Sequence, residues 1–128
     1  MNANIDWDGL KAAAAAAREN AHAPYSCFKV GAAVQAGGRI FAGCNVENAS
    51  YPVGLCAERA ALAAAVAAGC KAIEAVVVVA DRPLTPCGMC RQALAEFNPE
   101  VPILCVSDAE EAEATLSQLL PDPFSLSD

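Results

Sequence analysis

The stretch AVVVVA, residues Ala75–Ala80, decides the fold of this 128-residue chain. Four consecutive valines are β-branched residues that favour an extended strand, and no polar residue interrupts them. An unbroken apolar strand of this length is typical of the centre of a sheet that is covered on both faces, as in an α/β sandwich. The chain is long enough for one such domain, residues 1–128, and too short for two.

The residues before this strand predict a helix, a β-hairpin and a second helix. Alternating apolar and polar residues indicate the first hairpin strand, and two adjacent glycines indicate its turn. The second helix is small or apolar around nearly its whole circumference, which suggests that another subunit covers part of it. The predicted elements are helix Trp7–Asn20 with Asp6 as its N-cap, strand Phe28–Val34, turn Gly37–Gly38, strand Ile40–Val46, and helix Cys56–Ala68, which Gly69 ends.

The residues after the valine strand predict a third helix over Gly88–Phe97 and another strand over Val101–Val106. Propensity alone favours one helix over Ser107–Leu120. However, Thr115 and Gln118 form a capping box, which predicts a short helix starting there and leaves an edge strand as the alternative for the residues before it. The tail after residue 120 is expected to be mobile unless Phe124 is held.

Composition and charge exclude several functions. Hydrophobic residues make up 55% of the chain, which excludes general disorder. The net charge is −7, from 15 acidic and 8 basic residues, and no basic patch is evident. We therefore expect no nucleic-acid polymer as partner and a small substrate without a phosphate chain. No window approaches the ~18 apolar residues of a membrane span, and the first residues do not resemble a secretion signal, so the expected compartment is the cytosol.

Seven cysteines in a reducing compartment indicate metal binding or thiol chemistry rather than a disulfide framework. Cys87 and Cys90 lie three residues apart at the start of a predicted helix, so both sulfurs can reach one ion. The helix N-terminus also favours the thiolate form. Taken alone, this pair is as typical of redox chemistry as of zinc.

Cys56 and Glu58 lie at the start of the other predicted helix, where both side chains can flank its open end. Two strand–helix junctions would then bring three thiolates and one carboxylate to a shared pocket. Three protein ligands leave a fourth position for water, which is typical of catalytic zinc. Three thiolates and Zn²⁺ sum to −1, and Arg59 is the natural residue to offset this charge by hydrogen bonding to the sulfurs.

The motifs Cys-Ala-Glu-Arg at 56–59 and Pro-Cys-Gly-Met-Cys-Arg-Gln at 86–92 resemble the cytidine deaminase family, in its small homotetrameric form. Further matches cover nearly the whole chain in order: APYS at 23–26, Phe28, VGAA at 30–33, GCNVEN at 43–48, LLP at 119–121, and Phe124. The resemblance implies a three-layer α/β/α sandwich with a mixed central sheet of about five strands. It also implies one zinc ion per subunit, active sites shared within a homotetramer, and hydrolytic deamination of cytidine and deoxycytidine in pyrimidine salvage.

The resemblance implies a role for each residue of the site. Glu58 moves a proton from water to N3 of the base and then to the departing amine. Cys56, Cys87 and Cys90 are the implied zinc ligands, and Asn45 and Glu47 contact the ribose 3′-hydroxyl. Phe28 forms an aromatic wall of the pocket, and the Ala57 backbone contacts the base. Tyr51 and Phe124 contribute side chains to the active site of a neighbouring subunit.

One observation on the residues and one comparison within the family that they resemble bear on the substrate. Asn45 and Glu47 are two apart at a strand end and so face one way, and an amide with a carboxylate suits sugar hydroxyls rather than phosphate. Deoxycytidylate and tRNA-adenosine deaminases place a histidine where this chain has Cys56, which favours a free nucleoside.

Three alternatives remain open at this level. The first is the same chemistry on a modified cytosine nucleoside or a nucleoside antibiotic. A non-catalytic zinc module would use Cys44 as the fourth ligand, and a thiol redox protein would use Cys87 and Cys90. The cysteines outside the motifs, Cys27, Cys44, Cys70 and Cys105, are interpreted as small apolar residues of the core.

Overall fold

A five-stranded sheet forms the centre of the protein in the computed structural model, which describes residues 4–126. Four α-helices and one 3₁₀ turn connect and cover the strands. In chain order the elements are α1 (Trp7–Arg18), β1 (Gly31–Ala36), β2 (Arg39–Cys44), the 3₁₀ turn (Tyr51–Val53), α2 (Ala57–Ala67), β3 (Ile73–Val79), α3 (Gly88–Ala95), β4 (Pro102–Val106), β5 (Glu111–Thr115) and α4 (Leu116–Leu119).

The sheet has the strand order β2-β1-β3-β4-β5, so the valine strand β3 takes the central position. It pairs antiparallel with β1 and parallel with β4, and β5 closes the far edge antiparallel to β4. Alternate valines of β3 enter two separate cores, with Val77 packed among residues of α1 and Val76 among residues of α2. The predicted three-layer α/β/α sandwich with a mixed five-stranded sheet is confirmed.

The first strand differs from its prediction. It begins at Gly31 rather than Phe28, and all six of its residues are buried instead of alternating with exposed ones. The reason is that α1 covers the second face, so Ala33 and Gln35 point into the protein rather than to solvent. The buried Gln35 carboxamide accepts a hydrogen bond from the Asp6 amide and donates to the Asn4 carbonyl and to Glu74. Phe28 therefore lies in the loop before the sheet.

The predicted turns and caps agree with the structure. Gly37 and Gly38 adopt φ of 58° and 76° between β1 and β2, a conformation that glycine adopts without strain. The capping box of Thr115 is present, with the Gln118 carboxamide accepting a hydrogen bond from the Thr115 amide at 2.9 Å. The residues before it form the edge strand β5, so the single helix that propensity favours over 107–120 does not form.

The remaining cysteines lie at different depths. Cys105 is buried and Cys44 and Cys70 are half-buried, but Cys27 is exposed, so its interpretation as a core residue is wrong. Cys27 ends a turn with φ of 58°, and its amide donates to the Ala23 carbonyl. A side chain at such a turn points outward. None of the helices within residues 4–126 is both long and apolar enough to cross a membrane.

We expect Gly43→Ala to destabilise the fold, because β2 and α2 approach too closely at this point for a side chain. An added Cβ would lie 2.5 Å from the Ala61 nitrogen and 2.9 Å from the Ala57 carbonyl oxygen, both backbone atoms of α2. The free energy of unfolding, measured by denaturant titration, should fall by about 1–3 kcal/mol or more.

Gly88→Ala is the matched control, since an added Cβ there meets nothing within 4 Å. Its free energy of unfolding should stay within about 0.5 kcal/mol of the wild type. Equal stability of the Gly43 variant and this control would show that the close approach of β2 and α2 is not limiting.

Candidate active site

The N-termini of α2 and α3 meet on the same side of the sheet, and each begins at a cysteine. Cys56 is the N-cap of α2, Cys87 is the N-cap of α3, and neither side chain is used in a capping hydrogen bond. Both sulfurs are therefore free to bind something else, next to the positive ends of two helix dipoles. Arg91 fixes the start of α3 by donating hydrogen bonds to the Pro86 and Leu119 carbonyls and to the Thr85 hydroxyl.

The sulfur atoms of Cys56, Cys87 and Cys90 all lie within 4.8 Å of one another. Two thiolates bound to one tetrahedral zinc ion at ~2.3 Å have their sulfurs about 3.8 Å apart. The observed separation of the Cys56 and Cys87 sulfurs is 3.7 Å, so the donor set fits zinc. Within residues 4–126, Cys44 is not part of this group, so three sulfurs rather than four come together.

The cysteine cluster already favours a negative charge. A hydrogen bond from Cys90, supported by contact with Arg59, lowers the pKa of Cys56 to about 5. The same hydrogen bond, together with burial, raises the pKa of Cys90. The lowered pKa favours the thiolate of Cys56, which is the form that binds metal.

Arg59 lies where the charge balance of three thiolates requires a cation. Its Nη2 donates to the Cys56 sulfur at 3.5 Å, and this thiolate raises the pKa of the guanidinium. Its Nε is buried and has no hydrogen-bond partner within residues 4–126. An orphaned buried donor beside a sulfur cluster fits a site that gains negative charge when three thiolates are formed.

Glu58 follows Cys56 by two residues and turns into the protein. Only 4% of its surface is exposed. Burial raises the pKa of this carboxyl, and the nearby Cys56 thiolate raises it further. A raised pKa lets a carboxyl hold a proton more readily, which suits a group that accepts and then passes on a proton. Ala57, between the two, is fully buried.

A groove of about 510 Å³ opens beside Cys56, one of the three predicted zinc ligands. Several residues predicted for the site meet along its wall, and Met89, between the second and third ligands in sequence, joins them. Its lining includes Asn45, Glu47, Tyr51, Cys56, Arg59 and Met89. Met89 was not anticipated as a groove residue, although its place between two ligands at a helix start was a usable signal.

Asn45 and Glu47 have a structural task that the sequence did not reveal. The Asn45 carboxamide accepts from the Val30 amide and donates to the Phe28 carbonyl. The Glu47 carboxylate accepts from the amides of Tyr25 and Ser26 and from the Ser26 hydroxyl, which lowers its pKa. These bonds hold the loop before β1 against the groove.

The three aromatic residues predicted for substrate contact lie apart from one another. Phe28 is half-buried, whereas Tyr51 and Phe124 are 78% and 69% exposed. The Tyr51 ring meets Tyr25 edge-on, with 6.5 Å between ring centroids. The main chain of Phe124 is held in both directions by the Gln92 side chain, so this part of the tail is tied down while the ring points outward.

An α/β/α sandwich with three convergent thiols, a buried carboxyl and an open groove defines a zinc enzyme rather than a structural zinc module. The sequence profile of the cytidine and deoxycytidylate deaminase zinc-binding region matches residues 6–105. The chain therefore belongs to this deaminase family, as its motifs predicted, and zinc is its cofactor.

Relatives of known sequence and structure agree with this assignment. The chain is 44% identical to a cytidine deaminase from Sporosarcina psychrophila, over 97% of this chain and 95% of that protein. It resembles the crystal structure of cytidine deaminase from Burkholderia pseudomallei with a TM-score of 0.88 and 44% identity, covering 94% of this chain and all of that one. The structure of cytidine deaminase from Mycobacterium tuberculosis gives a TM-score of 0.82 and 40% identity, covering 96% of this chain and 100% of that one.

Proposed function

We propose that the protein hydrolyses cytidine and deoxycytidine to uridine and deoxyuridine, with release of ammonia. The observation that carries this proposal is the buried Glu58 two residues after Cys56, whose sulfur belongs to the cluster of three and lines an open groove. Metal ligation by Cys56, Cys87 and Cys90 and proton transfer by Glu58 are the roles that this arrangement supports.

The reaction needs a nucleophile at C4 of the base and two proton transfers. When zinc is bound, it acts as a Lewis acid that makes water a nucleophile at neutral pH. Glu58 accepts a proton from the attacking water as its oxygen adds to C4, and delivers this proton to N3. It then moves a second proton from the added hydroxyl to the exocyclic nitrogen, which leaves as ammonia while the C4 carbonyl forms. The raised pKa of Glu58 suits it to both directions of transfer.

Electrostatics favour a free nucleoside over a nucleotide. Asn45 and Glu47 line the groove, and their oxygens and amide suit the ribose 3′-hydroxyl. Among residues 4–126, Arg59 is the only cation in the groove lining, and it is engaged with the Cys56 sulfur. With a net charge of −7, the protein as a whole repels a phosphate group. A modified cytosine nucleoside remains the alternative substrate.

The deciding experiment follows the ultraviolet absorbance of cytidine and measures the zinc content of the same sample. Turnover of cytidine and deoxycytidine, little turnover of deoxycytidylate, and about one zinc per chain are expected. An inert cytidine with turnover of an analogue would instead favour the alternative substrate. Zinc without turnover of any cytosine nucleoside would contradict a catalytic site.

The surface supports an assembly of several chains, as in the homotetramer implied by the motifs. The outer side of α2 exposes Ala63, Ala64 and Ala67, and apolar side chains around the groove are exposed as well. Subunit association would cover both regions and bring Tyr51 and Phe124 to a neighbour's site, near the Phe28 wall and the Ala57 backbone. The expected setting is pyrimidine salvage in the cytoplasm.

We expect Phe124→Ala to lower kcat/KM by roughly tenfold or more, because an exposed ring at a subunit contact would lose its place in the pocket. Phe124→Tyr, which keeps the ring, is the matched control and should remain close to the wild type. Steady-state kinetics on cytidine check both variants.

Co-expression of Phe124→Ala with Glu58→Gln chains distinguishes action on a neighbour from action within one chain. In mixed assemblies, the intact Phe124 of one chain can complete the site of another that retains Glu58, so activity should be partly restored. Mixed assemblies no more active than the two variants alone would show that the ring serves its own chain.

A further inference from the structure

A charged residue that the proposed function does not use lies against the predicted aromatic wall. Arg82 belongs to the segment that connects β3 to the N-cap of α3. The central carbon of its guanidinium lies 4.5 Å from the centroid of the Phe28 ring. A cation at this distance from an aromatic ring is attracted by the ring's negative face.

Hydrogen bonds fix the backbone of Phe28 on both sides, and its half-buried ring packs against the edge of the core. The Phe28 amide donates to the Ser26 hydroxyl at 3.0 Å, and its carbonyl accepts from the Asn45 amide group at 2.8 Å. Ser26 is held in turn by Glu47. The orientation of the ring therefore depends on rotation about its side-chain bonds and on what packs against its face.

Arg82 is suited to restrict that rotation. Its guanidinium also donates to the Asp81 carboxylate at 3.3 Å, and both side chains are largely exposed. An ion pair in water contributes little by itself. It does keep the guanidinium close to the loop, so the planar group remains over the ring instead of extending into solvent.

We propose that Arg82 is a positioning residue that holds the Phe28 ring in the orientation in which it forms a wall of the nucleoside pocket. The proposal rests on the proposed function, because it takes Phe28 as a substrate contact. Arg82 touches none of the metal ligands or Glu58 in the contacts described, so it acts on binding rather than on proton transfer. Its loss should change KM and leave kcat nearly unaltered.

The test is a double-mutant cycle on KM for cytidine. Arg82→Ala should raise KM roughly two- to fivefold, the strength of one exposed cation–π contact. Arg82→Lys should recover part of this loss, because an ammonium is also attracted by the ring. In a Phe28→Leu background, Arg82→Ala should have no further effect, since leucine has no aromatic face. Lys71→Ala, which makes the same change in charge at an exposed position, is the control and should leave KM unchanged.

Two results would overturn the proposal: an unchanged KM in Arg82→Ala, or an equal increase with and without the Phe28 ring. The same variants are also made in the Glu58→Gln background, where calorimetry measures the Kd of cytidine without turnover. This measurement separates the proposal for Arg82 from the proposed function. Cytidine that binds but is not converted by the wild type would contradict the function alone, and the Kd values would still decide the role of Arg82. Absence of cytidine binding would contradict both.

Discussion

Replacing Glu58 with glutamine is expected to lower kcat for cytidine about 10²- to 10⁴-fold, while the protein keeps its zinc and its fold. Glutamine has nearly the shape of glutamate but cannot accept a proton from water or carry one to N3. The site is almost closed to solvent at this residue, with 4% exposure, so bulk water offers no ready substitute. Cytidine turnover, zinc content and thermal unfolding measured on one preparation check all three parts of the expectation.

Glu96→Gln provides the matched control for this variant. Glu96 is an exposed residue at the end of α3, and the same change of group there should leave kcat unaltered. A Glu58→Gln protein with kcat within tenfold of the wild type would show that another group moves the proton. Loss of zinc together with activity would instead assign Glu58 to the metal, and the proton-transfer role would then be wrong.

Much of the fold follows from local patterns in the sequence. The valine run marks the central strand because only a strand covered on both faces can be apolar at every position. The adjacent Gly37 and Gly38 mark the hairpin because their positive φ angles suit few other residues. Such signals depend on a few neighbouring residues, and these elements lie where they were expected.

The cysteine cluster could be predicted for a similar reason. Cys56 and Cys87 are N-caps, and a helix start is encoded by the residues around it. Cys90 then follows one turn later on the same face as Cys87. The spacing alone did not decide between zinc and redox chemistry; the Cys56 sulfur, 3.7 Å from that of Cys87, adds a third donor, which a zinc site uses and a redox pair does not need.

The features that the sequence did not reveal depend on contacts between distant parts of the chain. The strand from Gly31 was predicted to start early and to alternate, because nothing in its residues shows that α1 covers its second face. The hydrogen bond between Ser26 and Glu47 joins residues 21 apart in sequence. The contact of Arg82 with Phe28 joins the segment between β3 and α3 to the loop before β1. Patterns of composition and spacing carry no information about such pairs.

Cys87→Ser should weaken zinc binding more than about 100-fold and abolish turnover. Loss of a group that only hydrogen-bonds to a metal ligand already weakens binding by up to about 100-fold, and loss of a ligand should cost more. A serine hydroxyl remains protonated at neutral pH and is a harder donor than a thiolate, so two sulfurs would have to hold the ion alone. Zinc per chain after dialysis, measured by elemental analysis, and cytidine turnover check the expectation.

Cys70→Ser is the matched control for this ligand variant, because Cys70 is half-buried and lies outside the sulfur cluster. It should retain about one zinc per chain and normal turnover. The comparison also decides against redox chemistry, since a thiol redox pair at Cys87 and Cys90 would require no metal in the wild type or in either variant. If Cys87→Ser kept a full complement of zinc, Cys87 would not be a ligand, and the short distance between its sulfur and that of Cys56 would need another cause.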